Sequence, residues 1–555
     1  MKFDLKNRDL VWAGIWIGLF FMLRFWVAGM FPLVPDETNY WQWSRHPDWG
    51  YYDQAPLIAW AIRMCTLALG HTETAVRLPS LLAMALASAY LVRLAHRWAG
   101  AAAAWHTALL TQGVLLFNVG SLLATPDALQ AAGWAGASYH GARAMETDSR
   151  GQWVAAGFWF GFGLLSKYTM ILFPVSVFLF MLLHPPFRKK LAAGGPWLAV
   201  ATGMVLFSPV IYWNATHEWV SVRHVAHIGG ADTPFALHPK FFLEFLGSQA
   251  GLLTPLVFLL MFSAWILACK EEGGKAWLSR YLFFTSVIIV AGFTLLSLHT
   301  RVYGNWPGAG YLAGAVLCAV YFGGSTSRFT HLPGVALGRR LWPYAVGSAY
   351  LISGLVILQA VHPVLPVPLK WDRIQSEVCG WPRLGTAVHA LKARMPHPDE
   401  TFLFGLHYQM ASELAFYTPG RPKTVSINRW GRPNVYDFWW TDTDLKGKDG
   451  IGVTYDPTSH TRRLSAVFER VDPPERLEIP PCGRSLQGAD TPVKIFYLYR
   501  CYGFKGGLQW VPPEGSDVRK IANTIIPSLP RRPPNAGFPL CANPRSTSVR
   551  ENLRG

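Results

Sequence analysis

A chain of 555 residues that is 51% hydrophobic, 14% aromatic and only 15% charged lies far from the roughly one-quarter charged composition of soluble domains, which excludes an ordinary water-soluble globular protein. Its formal net charge of +17 would suggest nucleic acid in a soluble chain. A multi-pass membrane protein, however, gathers Lys and Arg in its short cytoplasmic loops, so nucleic-acid binding is set aside.

In chain order, MKFDLKNRDL is followed by an apolar run from Leu10 to Met30. That is about the 20 residues that cross a bilayer. No small-residue cleavage site follows it, so this first span is expected to remain in the mature chain. Ten more runs follow: Leu78 to Leu91, Ala99 to Leu123, Ala128 to Ala142, Trp153 to Leu165, Tyr168 to Leu183, Leu191 to Tyr212, Phe245 to Ala268, Tyr281 to Leu298, Trp306 to Phe322 and Leu341 to Val361. Eleven spans are thus predicted, with those near 78, 128 and 153 shorter than the roughly 17 to 25 residues a crossing usually needs. The segment Gln54 to Gly70 carries Arg63 and is read as a helix lying in the membrane plane.

Alternate loops are basic: Lys2, Lys6 and Arg8; Arg93 and Arg97; Arg143 and Arg150; Arg188, Lys189 and Lys190; Lys270, Lys275 and Arg280; Arg328, Arg339 and Arg340. The positive-inside rule then places the N-terminus in the cytoplasm. An odd span count puts the loop of residues 31–77 and everything from His362 onward on the outer side. There TFLFGLHY, GIGVTYD and VKIFYLYRCYGF read as strands and QMASELAFYT as a short helix, a small α/β domain over residues 362–507. Residues 508–555 are rich in Pro and Arg with little to bury, a tail expected to be extended. Cys379, Cys482, Cys501 and Cys541 all fall in this outer part, where two disulfides are expected with three pairings open.

The chemistry-bearing residues gather on the same side. Asp36 and Glu37 follow Pro35 just after the first span, and Asp53 precedes the next apolar stretch, among Trp41, Trp43, Trp49, Tyr51 and Tyr52. Carboxylates at a membrane surface can be tuned by burial toward proton transfer, although the same aromatic residues also form ordinary interfacial belts. Asp127 in TPDALQ and Lys167 in GLLSKYT lie at the outer ends of spans, where an ionisable residue is costly and marks a functional candidate; the alternative for Lys167 is snorkelling to the headgroups. Arg223, Arg301 and Tyr303 lie in further outer loops. His224 and His227, at i and i+3, are the candidates for a divalent metal if their loop is helical; no other cofactor is indicated. Cations, carboxylates and aromatic faces together suit a reaction between a lipid-borne phosphate and a hydroxyl acceptor.

PDETNYWQWSRHPDWGYYDQAPLIAW, TPDALQ, GLLSKYT, SPVIYWNATHEWVSVRHV, NWPGAGYLAG and HYQMASELAFYTPGRPKTVSINRWGRPNVYDFWW resemble, in order, the bacterial glycosyltransferase family 39/83 proteins of the GT-C superfamily. That group includes protein O-mannosyltransferases and the aminoarabinose and galacturonic acid transferases that modify lipid A. The resemblance implies a polytopic α-helical GT-C catalytic domain over residues 1–361 in a bacterial inner membrane, with the C-terminal domain periplasmic. It further implies an inverting transfer from a polyprenyl-phosphate sugar to a lipid, glycan or protein hydroxyl, with Asp36 as base and Glu37 beside it. Asp53 falls on the acid before the family's PPL motif, where this chain has Ala55 in place of a proline. Lys167 is implied to meet the carrier phosphate and Asp127 matches the TPD acid. Two other readings stay open: a lipid or sugar transporter or flippase, and an oligosaccharide ligase.

Overall fold

A computed structural model describes residues 8–324, 329, 334–365, 367–369, 371–483 and 491–510. Its helices run α1 (Arg8–Val27), α2 (Pro35–Arg45), α3 (Leu57–Leu69), α4 (Glu73–Ala99), α5 (Ala101–Gly113), α6 (Leu115–Leu122), α7 (Pro126–Thr147) and α8 (Arg150–Ser166). They continue as α9 (Leu172–Leu183), α10 (Pro185–Ala192), α11 (Gly194–Thr216), α12 (Val220–Ile228), α13 (Pro239–Leu253), α14 (Pro255–Lys270), α15 (Ala276–Leu296), α16 (Gly308–Cys318) and α17 (Val335–Val361).

Among the described residues, α1, α4, α11, α15 and α17 are long and apolar enough to cross a membrane, and two bent pairs raise that number to as many as seven. Every apolar run read from the sequence lies on helix, but not always as one straight rod. The run from Phe245 to Ala268 is broken at Thr254, which takes a φ of 67° immediately before Pro255, and α13 and α14 bend by 101° there. Proline disfavours helical backbone in the residue before it, which fixes the break. The run from Ala99 to Leu123 is likewise divided at Val114, in extended backbone between α5 and α6. The three short runs lie inside the longer helices α4, α7 and α8. Their apolar signal is weak because these helices are largely buried against protein, where lipid does not demand apolar residues all round. The 13-residue α3 is about 20 Å long, too short to cross. It buries Ile58, Ala59 and Ile62 while Met64, Leu67 and Leu69 stay exposed.

Helices α7, α8 and α11 approach closely through small residues, the usual solution where lipid offers no hydrophobic drive for helix pairing. A Cβ on Gly133 would lie 2.7 Å from the Gly163 Cα, and one on Gly157 2.3 Å from the Ala199 carbonyl oxygen.

The C-terminal part contains α18 (Arg373–Val378), α19 (Trp381–Lys392) and α20 (Tyr408–Tyr417), with strands β1 (Phe402–Gly405), β2 (Thr424–Ser426), β3 (Gly450–Thr454), β4 (Phe468–Val471), β5 (Glu475–Ile479) and β6 (Lys494–Phe504). The sheet order is β2-β1-β3-β6-β4, with β5 also pairing with β6. β1 is parallel to β2 and β3, and β6 is antiparallel to its neighbours. The strands read from TFLFGLHY, GIGVTYD and VKIFYLYRCYGF are β1, β3 and β6; β2, β4 and β5 are additions. Separate apolar clusters cover the two sheet faces, one around Trp381, Leu403 and Phe496 and the other around Phe404, Phe468 and Tyr499. Helix α20 packs on α2, joining this part to the first loop. Cys379 and Cys482 form a disulfide. Cys501 is a buried free thiol, and its remaining candidate partner Cys541, like nearly all of the 508–555 tail, lies outside the described residues.

The first loop is pinned by a fully buried ion pair. Arg77 of α4 donates from Nε to Glu37 Oε1 at 2.9 Å and from Nη2 to Oε2 at 2.7 Å, both side chains at 0% exposure. The same guanidinium donates to the Ala28, Phe31 and Pro32 carbonyls and lies over the Phe31 ring. Glu37 also accepts the Val34 and Ala124 amides at 2.9 and 2.8 Å. The end of α1, the start of α2, α4 and the loop before α7 therefore meet at one ion pair.

Removing one partner of a buried, hydrogen-bonded pair leaves an uncompensated charge at a cost of about 3–5 kcal/mol. Arg77→Met should accordingly lower the melting temperature of the detergent-solubilised protein sharply, and the double variant with Glu37→Gln should recover part of that loss; melting like the wild type would contradict the assignment. Gly157→Val, which drives a side chain into the Ala199 backbone, should destabilise by about 1–3 kcal/mol. Thermal melting of the same preparation checks it, and an unchanged transition would show that α8 and α11 can part without cost.

Candidate functional site

Proline at the first position of α2 and the extended Val34 before it set the helix start immediately after the first span. Successive helical residues point about 100° apart. Glu37 consequently turns inward to Arg77, and Asp36 faces the other way. Asp36 is accessible to solvent yet has protein on nearly every side, the geometry of a recess, and it makes no hydrogen bond among the described residues. Burial, reinforced by the nearby Asp53 and Glu377 charges and partly offset by Arg432, pushes its carboxyl up to about 6.

Asp53 is held differently. Its Oδ1 accepts from Arg432 Nη1 at 2.8 Å and lies 3.1 Å from His224 Nε2, while Oδ2 is buried with no partner. Burial alone would raise this carboxyl, but Arg432 and His224 outweigh it and keep it below the usual range. Arg432 arrives from the C-terminal part, lies 4.9 Å over the Tyr408 ring and has a half-exposed guanidinium. The recess is therefore walled by both parts of the chain.

On the adjoining side, Lys167 Nζ meets Asp127 Oδ1 at 2.8 Å. Asp127 lies in the first turn of α7 and Lys167 caps the end of α8. Ser166 Oγ donates to the Pro126 carbonyl at 2.6 Å and Gln130 Nε2 to Thr169 Oγ1 at 2.7 Å, so these helix ends are tied together on both sides of the pair. Asp127, Thr125 and Asn305 open onto a cavity of about 150 Å³, otherwise lined mainly by apolar groups. A larger crevice of about 470 Å³ between α7, α8, α9 and α11 carries no ionisable side chain and is not the chemical centre. Tyr40, one turn after Asp36 on α2, stands within the fields of Asp36, Asp127 and Asp53, and these add to burial in raising its phenol well above the usual value.

The other predicted residues are dispersed. Arg223 is half-buried on α12 and makes no ion pair among the described residues. Arg301 is exposed, its Nε 3.6 Å from Glu244 Oε2, and Tyr303 is exposed against Trp306. No hydrogen bond or ion pair links these three to Asp36 or Asp53. His224 and His227 do lie on a helix, but they do not converge. His224 faces Asp53, His227 pairs with Asp232 at 2.8 Å, and the described residues contain no cluster of three or more potential ligands. The two rings therefore do not share a site: each has its own carboxylate partner.

Arg432, Tyr408, Tyr40 and Glu377 were not singled out from the sequence. The first two lie within the long C-terminal stretch that carries the family resemblance, and Tyr40 lies at i+4 from Asp36, the helical spacing that puts two side chains on one face.

Residues 53–213 match the family model of dolichyl-phosphate-mannose-protein mannosyltransferase. The lipid A galacturonosyltransferase RgtD of Rhizobium johnstonii is 28% identical over 295 residues, which is 51% of this chain and 59% of that protein. The aligned region thus spans less than two thirds of the curated relative. Among solved structures, ArnT from Cupriavidus metallidurans in the apo state superposes with a TM-score of 0.56 at 18% identity, covering 88% of this chain and 98% of that one. The same protein bound to undecaprenyl phosphate gives 0.55 at 17% identity over the same shares. Residues 53–213 are thus similar to the dolichyl-phosphate-mannose-protein mannosyltransferase family, and the chain shares the fold of ArnT.

Proposed function

We propose that the protein is an inverting glycosyltransferase that moves one sugar from a polyprenyl-phosphate carrier to a hydroxyl of a lipid A-like acceptor at the outer face of a bacterial inner membrane. The reading adopts eleven crossings, a cytoplasmic N-terminus and an outer C-terminal part, in keeping with the alternation of basic loops. The observation that carries it is Asp36: a carboxyl without a hydrogen-bond partner, in a recess, poised near 6, with a lysine–aspartate pair on the adjoining helix ends. A carboxylate in that state is suited to take a proton from an attacking hydroxyl near neutral pH.

In the proposed step the acceptor oxygen attacks the anomeric carbon as Asp36 takes its proton, and the bond from that carbon to the phosphate oxygen breaks with its electron pair leaving on the phosphate. Lys167 receives the charge that gathers there, with Asp127 holding the ammonium in place before the donor arrives. Asp53 and Arg432 shape the opposite wall. The lipid A acceptor is favoured because RgtD, by name, transfers galacturonic acid to lipid A.

The test is transfer by purified protein from polyprenyl-phosphate sugars to lipid A, read by mass spectrometry with galacturonate, aminoarabinose and hexose donors side by side. Asp36→Asn should abolish transfer while leaving melting unchanged; full turnover in that variant would remove Asp36 from the mechanism. Wild-type turnover should also depend on pH in a stated direction. Below about pH 6 the carboxyl is protonated and cannot act as base, so the rate should fall about tenfold per pH unit, whereas above it the rate should level off. A rate that rises on acidification would contradict this assignment.

A further inference from the structure

Tyr40 occupies a place that the proposed reaction leaves unfilled. Its position at i+4 from Asp36 on α2 puts both side chains on one helix face, with Cβ atoms about 5–6 Å apart. Its hydroxyl makes no hydrogen bond among the described residues, and the half-buried side chain leaves it free to meet a ligand. The ring is well held: it meets Trp43 edge-on at a centroid distance of 5.0 Å and packs against two apolar clusters. The groups whose charges reach it are Asp36, Asp127, which is paired with Lys167, Tyr408 and Asp53. A firmly held hydroxyl without a protein partner therefore shares a helix face with the base and lies within the field of Asp127, the carboxylate that holds the Lys167 ammonium.

We infer that Tyr40 is a catalytic residue that donates a hydrogen bond to the phosphate oxygen leaving the anomeric carbon, and that it rests on the glycosyl transfer proposed above. No proton is transferred from it. The acceptor oxygen to carbon bond forms, the carbon to phosphate oxygen bond breaks, the acceptor's proton goes to Asp36, and the phosphate departs with the electron pair. Carboxylates around a phenol oppose its ionisation, so the hydroxyl keeps its proton and remains a donor as negative charge grows on the leaving oxygen. A neutral donor in this place strengthens as the bond breaks, which lowers the barrier more than it tightens ground-state binding.

Tyr40→Phe keeps the ring and its packing and deletes the donor alone. Removal of a comparable preorganised donor costs on the order of 100-fold in turnover. The expected result is a fall in kcat of roughly 10- to 100-fold with KM for the polyprenyl-phosphate sugar unchanged, the acid limb of the pH profile still near 6, and wild-type melting. Three results would overturn the inference while leaving the glycosyl transfer intact: an unchanged kcat, an increase confined to KM, or a fall in kcat accompanied by a lowered melting temperature. Absence of transfer by the wild-type protein from every polyprenyl-phosphate donor would instead remove the reading on which it rests.

Discussion

The buried pair of Glu37 and Arg77 is the constraint on which the site depends. An ion pair taken wholly out of water is costly unless its remaining hydrogen-bonding positions are filled, and here they are filled by five backbone groups as well as by the partners themselves. Because those groups belong to the end of one membrane helix, the start of the next short helix and the loop before α7, one ion pair sets the relative positions of three segments. The neighbouring residue inherits the orientation: with Glu37 turned inward, Asp36 is turned out. Two adjacent acids thus acquire opposite roles from the 100° step of a helix.

The acids of the recess form a graded series. Glu37 is completely satisfied, Asp127 is paired with a lysine, Asp53 has one oxygen occupied and one buried without a partner, and Asp36 has neither oxygen bonded. Environment separates groups of the same intrinsic acidity into structural anchors and groups available for proton transfer. The cations follow the same division, Arg77 being enclosed while Arg432 keeps a half-exposed guanidinium.

Much of this organisation was legible in the residues themselves. Apolar length marked the helices, and alternating short runs marked β1, β3 and β6, because both signals depend on local periodicity. Boundaries and bends were less visible. The short runs in α4, α7 and α8 underestimate their helices because a helix surrounded by protein can carry polar side chains that one facing lipid cannot. The bend at Thr254 was written in the Thr-Pro step, but the apolar run crossing it hid the punctuation. Asp36, Asp53, Asp127 and Lys167 were legible as acids and a base at the ends of spans. The guanidinium that holds Asp53 was not: Arg432 lies 379 positions away, and no spacing rule links residues so far apart. The two histidines were legible as neighbours on one helix, but not their separate directions. Their i, i+3 spacing is real, but His224 faces Asp53 of the first loop while His227 faces Asp232, five residues on.

The contact between Arg432 and Asp53 also bears on how the protein comes into being. Synthesis proceeds from the N-terminus, so the membrane helices emerge long before the residue that completes the recess wall. Throughout that interval Asp53 is a carboxylate without its guanidinium, and the pocket around Asp36 lacks one of the charges that set its acidity. Completion of the recess wall is therefore tied to synthesis and docking of the C-terminal part, and a chain arrested before Arg432 would hold the membrane helices with the recess still open on that side.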